Sequence, residues 1–234
     1  MILGTVCTRN CAFCGVPKGK PSPPDPDEPN RVALAIKQLG IKYAVITSVS
    51  RDDLPDKGST LFADTIEAIN KKSPRTKVEV LTPDFNGEEL LVANVLRKKP
   101  LVFNHNLETV PRLYPKIRPQ ADYQRSLYLL KTAKEKGAVY TKSGLMLGLG
   151  EEREEVLRVL GDLRKVDCDI ITIGQYLRPS QANTSVVRFA SPAEFEDFRR
   201  QAFRMGFRAC AAGPFVRSSY FAETLLERAT NQKG

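Results

Sequence analysis

The chain has 234 residues, which is enough for one sizeable domain and too few for two comfortable ones. Hydrophobic residues make up 41% and charged residues 27%, and this ordinary globular mixture excludes a disordered or fibrous protein. Lys and Arg total 36 against 27 Asp and Glu, so the net charge is +9. No apolar run approaches the roughly 20 residues of a membrane span, and residues 1–6 lack the pattern of a signal peptide.

The cysteine count and the charge pattern narrow the class of protein further. Five cysteines are an odd number, and three of them lie between residues 7 and 14, so a secreted disulfide scaffold is not expected. A reduced, cytoplasmic compartment is therefore expected. Lys and Arg are interspersed with acidic residues, as in residues 151–155, and no RNA- or DNA-binding motif is present. We expect neither a nucleic acid nor a membrane as a partner.

Short and nearly continuous apolar runs recur along the chain, as in the strands of a parallel sheet whose two faces are both covered. The clear runs cover residues 43–47, 78–81, 101–103, 144–147 and 170–173. Residues 1–6 are predicted to form a further strand at the start, and residues 207–211 a weaker one near the end.

Amphipathic helical patterns separate these runs, with apolar residues recurring at the spacing of one helix face. The faces contain Val32, Ile36 and Leu39; Phe62, Ile66 and Ile69; Val156, Leu160 and Leu163; and Phe195, Phe198 and Ala202. Glycines at positions 40, 137 and 206 stand where helix C-caps are expected, and the proline-rich residues 17–29 are predicted to be an extended loop. The alternation indicates about six strand–helix units of an α/β fold. Both an open or partial barrel and a doubly wound sheet fit this pattern.

Polar side chains and glycines follow five of the predicted strands, at the end where parallel α/β folds bind their ligands. These segments are residues 48–53, 82–84, 104–108, 148–151 and 174–178. Loop and helix-cap hydrogen bonds explain part of this polarity. Five such ends together nevertheless favour one ligand site at this edge of the sheet.

Cys7, Cys11 and Cys14 form a C-x3-C-x2-C cluster, whose spacing brings three thiolates to one side of a tight loop. A structural zinc site needs four protein ligands, whereas the other two cysteines and the single histidine are isolated in the sequence. A [4Fe–4S] cluster held by three thiolates leaves one iron open to a substrate or cofactor. The spacing favours such a cluster, with zinc and a chance grouping of structural cysteines as alternatives.

The three-cysteine motif, with Phe13 just before its last cysteine, resembles the radical S-adenosylmethionine (SAM) superfamily. Longer stretches resemble one of its families, the lipoyl synthases, nearly from end to end. They are MILG and CTR within residues 1–9, VITSV and RDDL within 45–54, PDF at 83–85, FNHNLE at 103–108, KSGLM and GLGE within 142–151, GQYL at 174–177 and GPFVRSSY at 213–220.

The resemblance implies a partial (β/α)6 TIM-like barrel of the radical SAM type, forming a single domain over residues 1–234. The cluster loop, residues 7–14, would follow the first strand, and residues 213–234 would form a C-terminal tail. The implied cofactors are a [4Fe–4S] cluster with an open iron and SAM, which that iron binds.

The implied activity is that of a sulfurtransferase, which inserts two sulfurs at C6 and C8 of an octanoyl chain held on a lysine. The implied partners are the octanoylated lipoyl carrier protein and an electron donor such as flavodoxin or ferredoxin. The implied compartment is the cytoplasm or an organelle matrix. A radical SAM enzyme of another reaction type and a non-catalytic metal-binding module are the alternatives.

The resemblance also implies roles for individual residues. The three clustered cysteines would ligate the [4Fe–4S] cluster, and Phe13 would pack beside the cluster or the adenine. The residues expected around the SAM pocket are Ser48, Asp52, Asn104, Asn106 and Glu108, with Gly148 for close backbone approach and Gln175 on the far side. His105 is expected to be a hydrogen-bonded barrel histidine rather than a ligand.

Lipoyl synthases take apart a second, auxiliary [4Fe–4S] cluster to supply the sulfur, and the resemblance carries its serine ligand over to Ser219. The three cysteine ligands of that cluster lie in a C-x4-C-x5-C motif upstream of the SAM motif, whereas this sequence has only residues 1–6 before Cys7. We therefore expect a truncated chain that binds the SAM cluster without completing sulfur insertion.

Overall fold

Six parallel strands form one sheet in the computed structural model, which describes residues 1–231. The strands are β1 (Tyr43–Thr47), β2 (Lys77–Leu81), β3 (Val102–Asn104), β4 (Tyr140–Leu147), β5 (Ile170–Gln175) and β6 (Ala209–Gly213). Their order in the sheet is the same as their order in the chain. Because a doubly wound sheet reverses its strand order at a switch point, the barrel-type alternative is confirmed.

Helices alternate with these strands and pack against them. They are α1 (Glu28–Gln38), α2 (Ser59–Lys72), α3 (Glu89–Leu96), α4 (Tyr114–Ile117), α5 (Tyr123–Glu135), α6 (Arg153–Lys165), α7 (Pro192–Arg204) and α8 (Ala222–Asn231). Within the described range, none of the helices has the length and apolar character needed to cross a membrane. The predicted α/β fold is confirmed, and α3, α4, α5 and α8 add to the four helices whose faces were predicted.

The predicted helix faces form the core, with one exception in α1. The three apolar residues predicted for each of α2, α6 and α7 are buried. Ile36 of α1 is buried too, but Leu39 is 74% exposed. The helix ends at Gln38, so Leu39 is its capping residue and no longer follows the repeat that buries Ile36.

The first residues do not form the predicted strand. Ile2 makes only a single bridge, to Ser48 at the end of β1. Leu3 then takes a positive φ of 69°, which interrupts the extended backbone, and its N–H donates to the Glu28 carboxylate at 2.8 Å instead of to a strand. The cluster loop therefore precedes β1 and α1 rather than following a strand.

The two ends of the barrel are filled differently. At the amino ends of the strands, Leu225, Leu226 and Ala229 of α8 pack into one apolar cluster with the first residues of β3, β4, β5 and β6. The carboxyl ends carry the cluster loop and the segment that follows β6. The predicted tail thus contains α8 as far as Asn231, and its residues 232–234 lie outside the described residues.

Candidate active site

Three free thiols meet at one cavity at the carboxyl end of the barrel. Cys7, Cys11 and Cys14 are half-buried and line this cavity, whose volume is about 180 Å³. The Cys7 sulfur accepts hydrogen bonds from the backbone N–H groups of Arg9 and Ser50 at 3.4 and 3.3 Å, which fix its position. Burial raises the pKa of the Cys11 and Cys14 thiols, so a bound metal would be what keeps them deprotonated. Across residues 1–231, no three Cys, His, Asp or Glu side chains are grouped around a single-ion site.

A buried arginine anchors the cluster loop to the ends of β1 and β2. Arg9 donates from Nε and Nη2 to the two Asp52 carboxylate oxygens at 2.8 and 2.7 Å, and its Nη2 also donates to Asp84 at 2.6 Å. Burial alone would raise the pKa of Asp84, but the Arg9 cation holds it well below its usual range, with help from Arg125. These charge-assisted hydrogen bonds fix one side of the loop.

The loop between β5 and α7 holds the other side of the cluster loop. The Asn183 side-chain amide donates to the carbonyls of Ala12 and Cys14 at 3.2 and 2.9 Å. The Thr184 N–H donates to the same Ala12 carbonyl at 3.0 Å. The backbone that carries the cysteines is therefore hydrogen-bonded from both sides, which fixes where the thiols lie.

Polar groups from the ends of β1 and β3 line the same cavity as the cysteines. Ser48, Asn106 and Glu108 form part of its wall, together with Phe13 of the cluster loop. Ser48 Oγ and Asn106 Oδ1 are buried and have no hydrogen-bond partner in the described part of the chain. Since buried polar atoms nearly always have a partner, these two oxygens mark where a ligand with N–H or O–H donors fits.

Arg118, which follows α4, adds a buried cation to this cavity. Its Nη1 donates to the carbonyls of Asn106 and Leu107 at 3.1 and 2.9 Å. Burial raises the pKa of Glu108, while the Arg118 charge and the Asn106 amide act in the opposite direction. A guanidinium and a carboxyl group thus line one small cavity, which suits a ligand that carries both charges.

A second cavity, of about 280 Å³, lies inside the barrel and has a wall in common with the first. Asn106 and Glu108 line both cavities. The other walls come from the strands and from the segment after β6, and include Val45, Thr47, Leu81, Gly144, Met146, Thr172, Gly174, Val216, Ser218 and Ser219. Asn106 Nδ2 donates to Glu108, which lines both cavities, at 3.2 Å and to Ser218 Oγ in the second cavity at 2.6 Å.

Four of the residues predicted to surround the cofactor line neither cavity: Asp52, Asn104, Gly148 and Gln175. Asp52 is instead the ion-pair partner of Arg9. Asn104 is fully buried below the cavities, where its amide donates to Glu79 at 2.9 Å. The Asn104 Oδ1 atom is buried without a hydrogen-bond partner among the described residues, and the ligand contacts expected of Asp52 and Asn104 stay predictions.

Gln175 and Gly148 contact the loop after β5 or each other. The Gln175 amide donates to the Arg188 carbonyl at 3.0 Å, and its oxygen accepts the Ala190 N–H at 2.9 Å. A Cβ at Gly148 would lie 2.1 Å from Gln175 Nε2, so the close approach that this glycine allows is to a side chain of the protein itself. The ligand contacts expected of both residues stay predictions.

His105 has hydrogen-bond partners at both ring nitrogens, as predicted. Nδ1 lies 2.9 Å from the Thr82 carbonyl and Nε2 lies 3.1 Å from Ser126 Oγ.

Arg118 and a buried Glu79–Lys142 ion pair were not predicted as site residues. A lysine within a buried strand was the available signal for that pair, because such a charge needs a partner.

The fold and the three-cysteine loop together define a class of protein. The model of the radical SAM superfamily matches residues 1–163. The crystal structure of methylornithine synthase shares the fold with a TM-score of 0.70 at 15% identity, covering 90% of this chain and 62% of that one. The protein is a radical SAM protein, a class that uses a [4Fe–4S] cluster and SAM.

Two relatives identify the family within this class. The lipoyl synthase of Caldanaerobacter subterraneus subsp. tengcongensis is 53% identical over 230 residues, which are 98% of this chain and 81% of that protein. The lipoyl synthase of Caldicellulosiruptor saccharolyticus is 54% identical over 224 residues, which are 95% of this chain and 79% of that protein. The chain belongs to the lipoyl synthase family.

Proposed function

We propose that this chain acts as a radical SAM sulfurtransferase of the lipoyl synthase type, on an octanoyl chain linked to a lysine of a lipoyl carrier protein. One observation carries the proposal. The cavity that contains the three cysteines has Asn106 and Glu108 in common with a cavity inside the barrel, and Ser219 lines that second cavity. The chain thus offers one compartment for SAM and an adjacent one for the acyl chain.

The residues of the first cavity fit the two cofactors of the class. When bound, the [4Fe–4S] cluster holds SAM at its open iron and supplies the electron that cleaves it. The three clustered cysteines are the thiolate donors, and Phe13 packs beside them. Ser48 Oγ and Asn106 Oδ1 are free to accept hydrogen bonds from the ligand. Glu108 and Arg118 offer opposite charges to its amino and carboxylate groups.

The second cavity fits an acyl chain better than a polar substrate. Val45, Leu81, Met146 and Val216 supply apolar walls inside the barrel. An apolar wall excludes water and aligns a hydrocarbon without hydrogen bonds of its own. Ser219 lines the same cavity, and we assign it as the serine ligand toward the auxiliary cluster that would supply the sulfur.

The net charge supports partners that carry negative charge. A chain with a charge of +9 attracts acidic proteins by long-range steering, which raises the rate of association more than the final affinity. We propose an octanoylated carrier as the substrate protein and flavodoxin or ferredoxin as the electron donor.

Anaerobic reconstitution with iron and sulfide tests the cofactor assignment. The expected result is about four irons per cluster site and cleavage of SAM to 5′-deoxyadenosine under reducing conditions. Cys11→Ser should abolish both. Cys168→Ser is the matched control, because Cys168 is fully buried in the apolar core and should leave both unchanged. Bound zinc without SAM cleavage would instead support a non-catalytic metal-binding module.

Incubation with an octanoylated carrier tests the substrate. The expected result is SAM cleavage that depends on the carrier and alters its octanoyl group, measured by mass spectrometry, whereas gain of sulfur is expected only when the C-x4-C-x5-C cysteines are supplied as well. Cleavage of SAM that never depends on the carrier and never changes its octanoyl group would contradict the proposed substrate. That outcome would favour a radical SAM reaction of another type.

A further inference from the structure

A buried ion pair lies inside the barrel below the second cavity. Lys142 of β4 and Glu79 of β2 are each 1% exposed, and the Lys142 Nζ donates to the two Glu79 oxygens at 2.9 and 3.2 Å. Glu79 also accepts the Asn104 amide at 2.9 Å and the Tyr43 hydroxyl at 2.8 Å. One carboxylate therefore joins side chains from four neighbouring strands.

The remaining hydrogen-bond donor of Lys142 leaves the sheet. An ammonium group has three donors, and the third bond of Lys142 Nζ is to the Ser218 carbonyl at 2.6 Å. Ser218 is 76 residues away in the chain, in the segment of residues 214–220 after β6, which we call the serine segment. The same serine accepts a hydrogen bond from Asn106 at its hydroxyl, at 2.6 Å.

The shape of the barrel interior gives the serine segment room to enter. A Cβ at Gly174 would lie 2.2 Å from the Val216 carbonyl, so only glycine at this position lets the segment pass so close to β5. Val216, Ser218 and Ser219 line the second cavity as a result. The segment is therefore part of the cavity wall, and Lys142 is the charged group that binds its backbone.

We propose that Lys142 is a positioning residue, which holds the serine segment, and with it Ser219, at the wall of the second cavity. The role of Ser219 rests on the proposed function, but the contact itself does not. Packing alone does not require a charge here, since apolar residues often replace a buried ion pair without loss of stability. An ammonium is required to donate to the Glu79 oxygens and to the Ser218 carbonyl at the same time.

Hydrogen exchange measured by mass spectrometry tests this role on the full chain. The main variant combines Lys142→Met with Glu79→Gln, so that no uncompensated charge remains buried. Tyr43→Phe is the control, because it removes one hydrogen bond from the same carboxylate without touching the serine segment. In the double variant, exchange of peptides spanning residues 214–220 should rise about ten-fold or more, while β3 and β4 keep their protection. Tyr43→Phe should leave exchange in the serine segment unchanged.

A second variant covers the case in which the double variant does not fold. Lys142→Gln combined with Glu79→Gln keeps a hydrogen bond between the two side chains without a buried charge, but the shorter side chain at position 142 does not reach the Ser218 carbonyl as well, so exchange in the same peptides should rise. Unchanged exchange in the serine segment, or an equal rise across all four strands, would overturn the positioning role. Cleavage of SAM by the parent chain is measured in parallel, and its failure would refute the proposed function while leaving the exchange result intact.

Discussion

The buried carboxylate of Asp84 offers a direct test of how the cluster loop is anchored. Asp84 is fully buried and accepts hydrogen bonds from Arg9 at 2.6 Å and from Arg125 at 2.9 Å. Asp84→Asn keeps the shape of the side chain but removes its charge. Two guanidinium groups then lose a counter-ion, one on the buried Arg9 and one on the partly exposed Arg125.

The partners that remain set the size of the effect. Removing one member of a buried ion pair typically costs about 3–5 kcal/mol of stability. Arg9 keeps its two hydrogen bonds to Asp52, and Arg125 keeps those to Asn86 and the Gln120 carbonyl. We therefore expect Asp84→Asn to lower the free energy of unfolding at neutral pH by somewhat less than that, about 2–4 kcal/mol.

The effect of the substitution should depend on pH in a defined direction. Burial alone would raise the pKa of Asp84, but Arg9 holds the pKa well below its usual range in the folded protein. Such a carboxylate stabilises the folded state above its unfolded pKa of about 3.9, and this contribution is lost as the pH falls further. The difference between parent and variant should therefore be largest near neutral pH and shrink below about pH 4.

Urea unfolding of both proteins at a series of pH values measures this difference. Asp25→Asn is the matched control, because Asp25 forms an ion pair with Arg31 in which both side chains are more than half exposed, at 51% and 59%. Exposed ion pairs contribute little, so this control should change the midpoint only slightly. An Asp84→Asn variant as stable as the control, or a loss that grows as the pH falls, would refute the anchoring role.

Three further predictions concern other parts of the structure. Asn183→Ala removes a donor 2.9 Å from a cluster-loop carbonyl and should lower the iron retained after reconstitution and gel filtration; full retention would contradict this. Gly174→Ala would place a Cβ 2.2 Å from a backbone carbonyl and should lower the free energy of unfolding by about 1–3 kcal/mol. Gly161→Ala in α6 is the control: its added Cβ would have no atom within 4 Å, so it should raise the free energy of unfolding by up to about 1 kcal/mol. Equal melting temperatures for Gly174→Ala and Gly161→Ala would contradict this prediction. Burial lowers the pKa of His105 to about 4, so the NMR signals of this single histidine should not titrate between about pH 8 and about pH 5.5; a midpoint near about 6.5 would contradict the structure.

The strands were largely predictable from the sequence, because both faces of a parallel strand are buried and apolar runs reveal them. The predicted strand boundaries were wrong where buried residues are polar. β4 begins at Tyr140, although the apolar run begins only at residue 144. Thr141, Lys142 and Ser143 are buried but polar, and each has a hydrogen-bond partner that the pattern cannot reveal. The prediction of a strand over residues 1–6 was wrong because an apolar sequence pattern does not reveal a positive φ such as that of Leu3.

Within the site, the sequence predicted groups that are close together in the chain, but not contacts between residues that are far apart in the chain. The three cysteines lie within eight residues of one another, so their spacing alone predicted a common loop. The partners that hold this loop lie far away in the chain, since Arg9 and Asp84 are 75 residues apart. Periodicity shows which face of an element a residue occupies, but not which residue of another strand it contacts. The ion pair of Asp52 with Arg9 and the hydrogen bond of Asn104 to Glu79 could not be predicted from the sequence for the same reason.

The wall that Asn106 and Glu108 form between the two cavities has a thermodynamic consequence. A ligand that accepts the Asn106 amide hydrogen bond in the first cavity competes with Ser218 for that donor and so alters the wall of the second. Binding in the two cavities is then linked, and linkage is reciprocal: each ligand changes the affinity for the other by the same factor. SAM and an acyl chain should accordingly show equal coupling in either order of addition, which isothermal titration of one in the presence of the other measures directly.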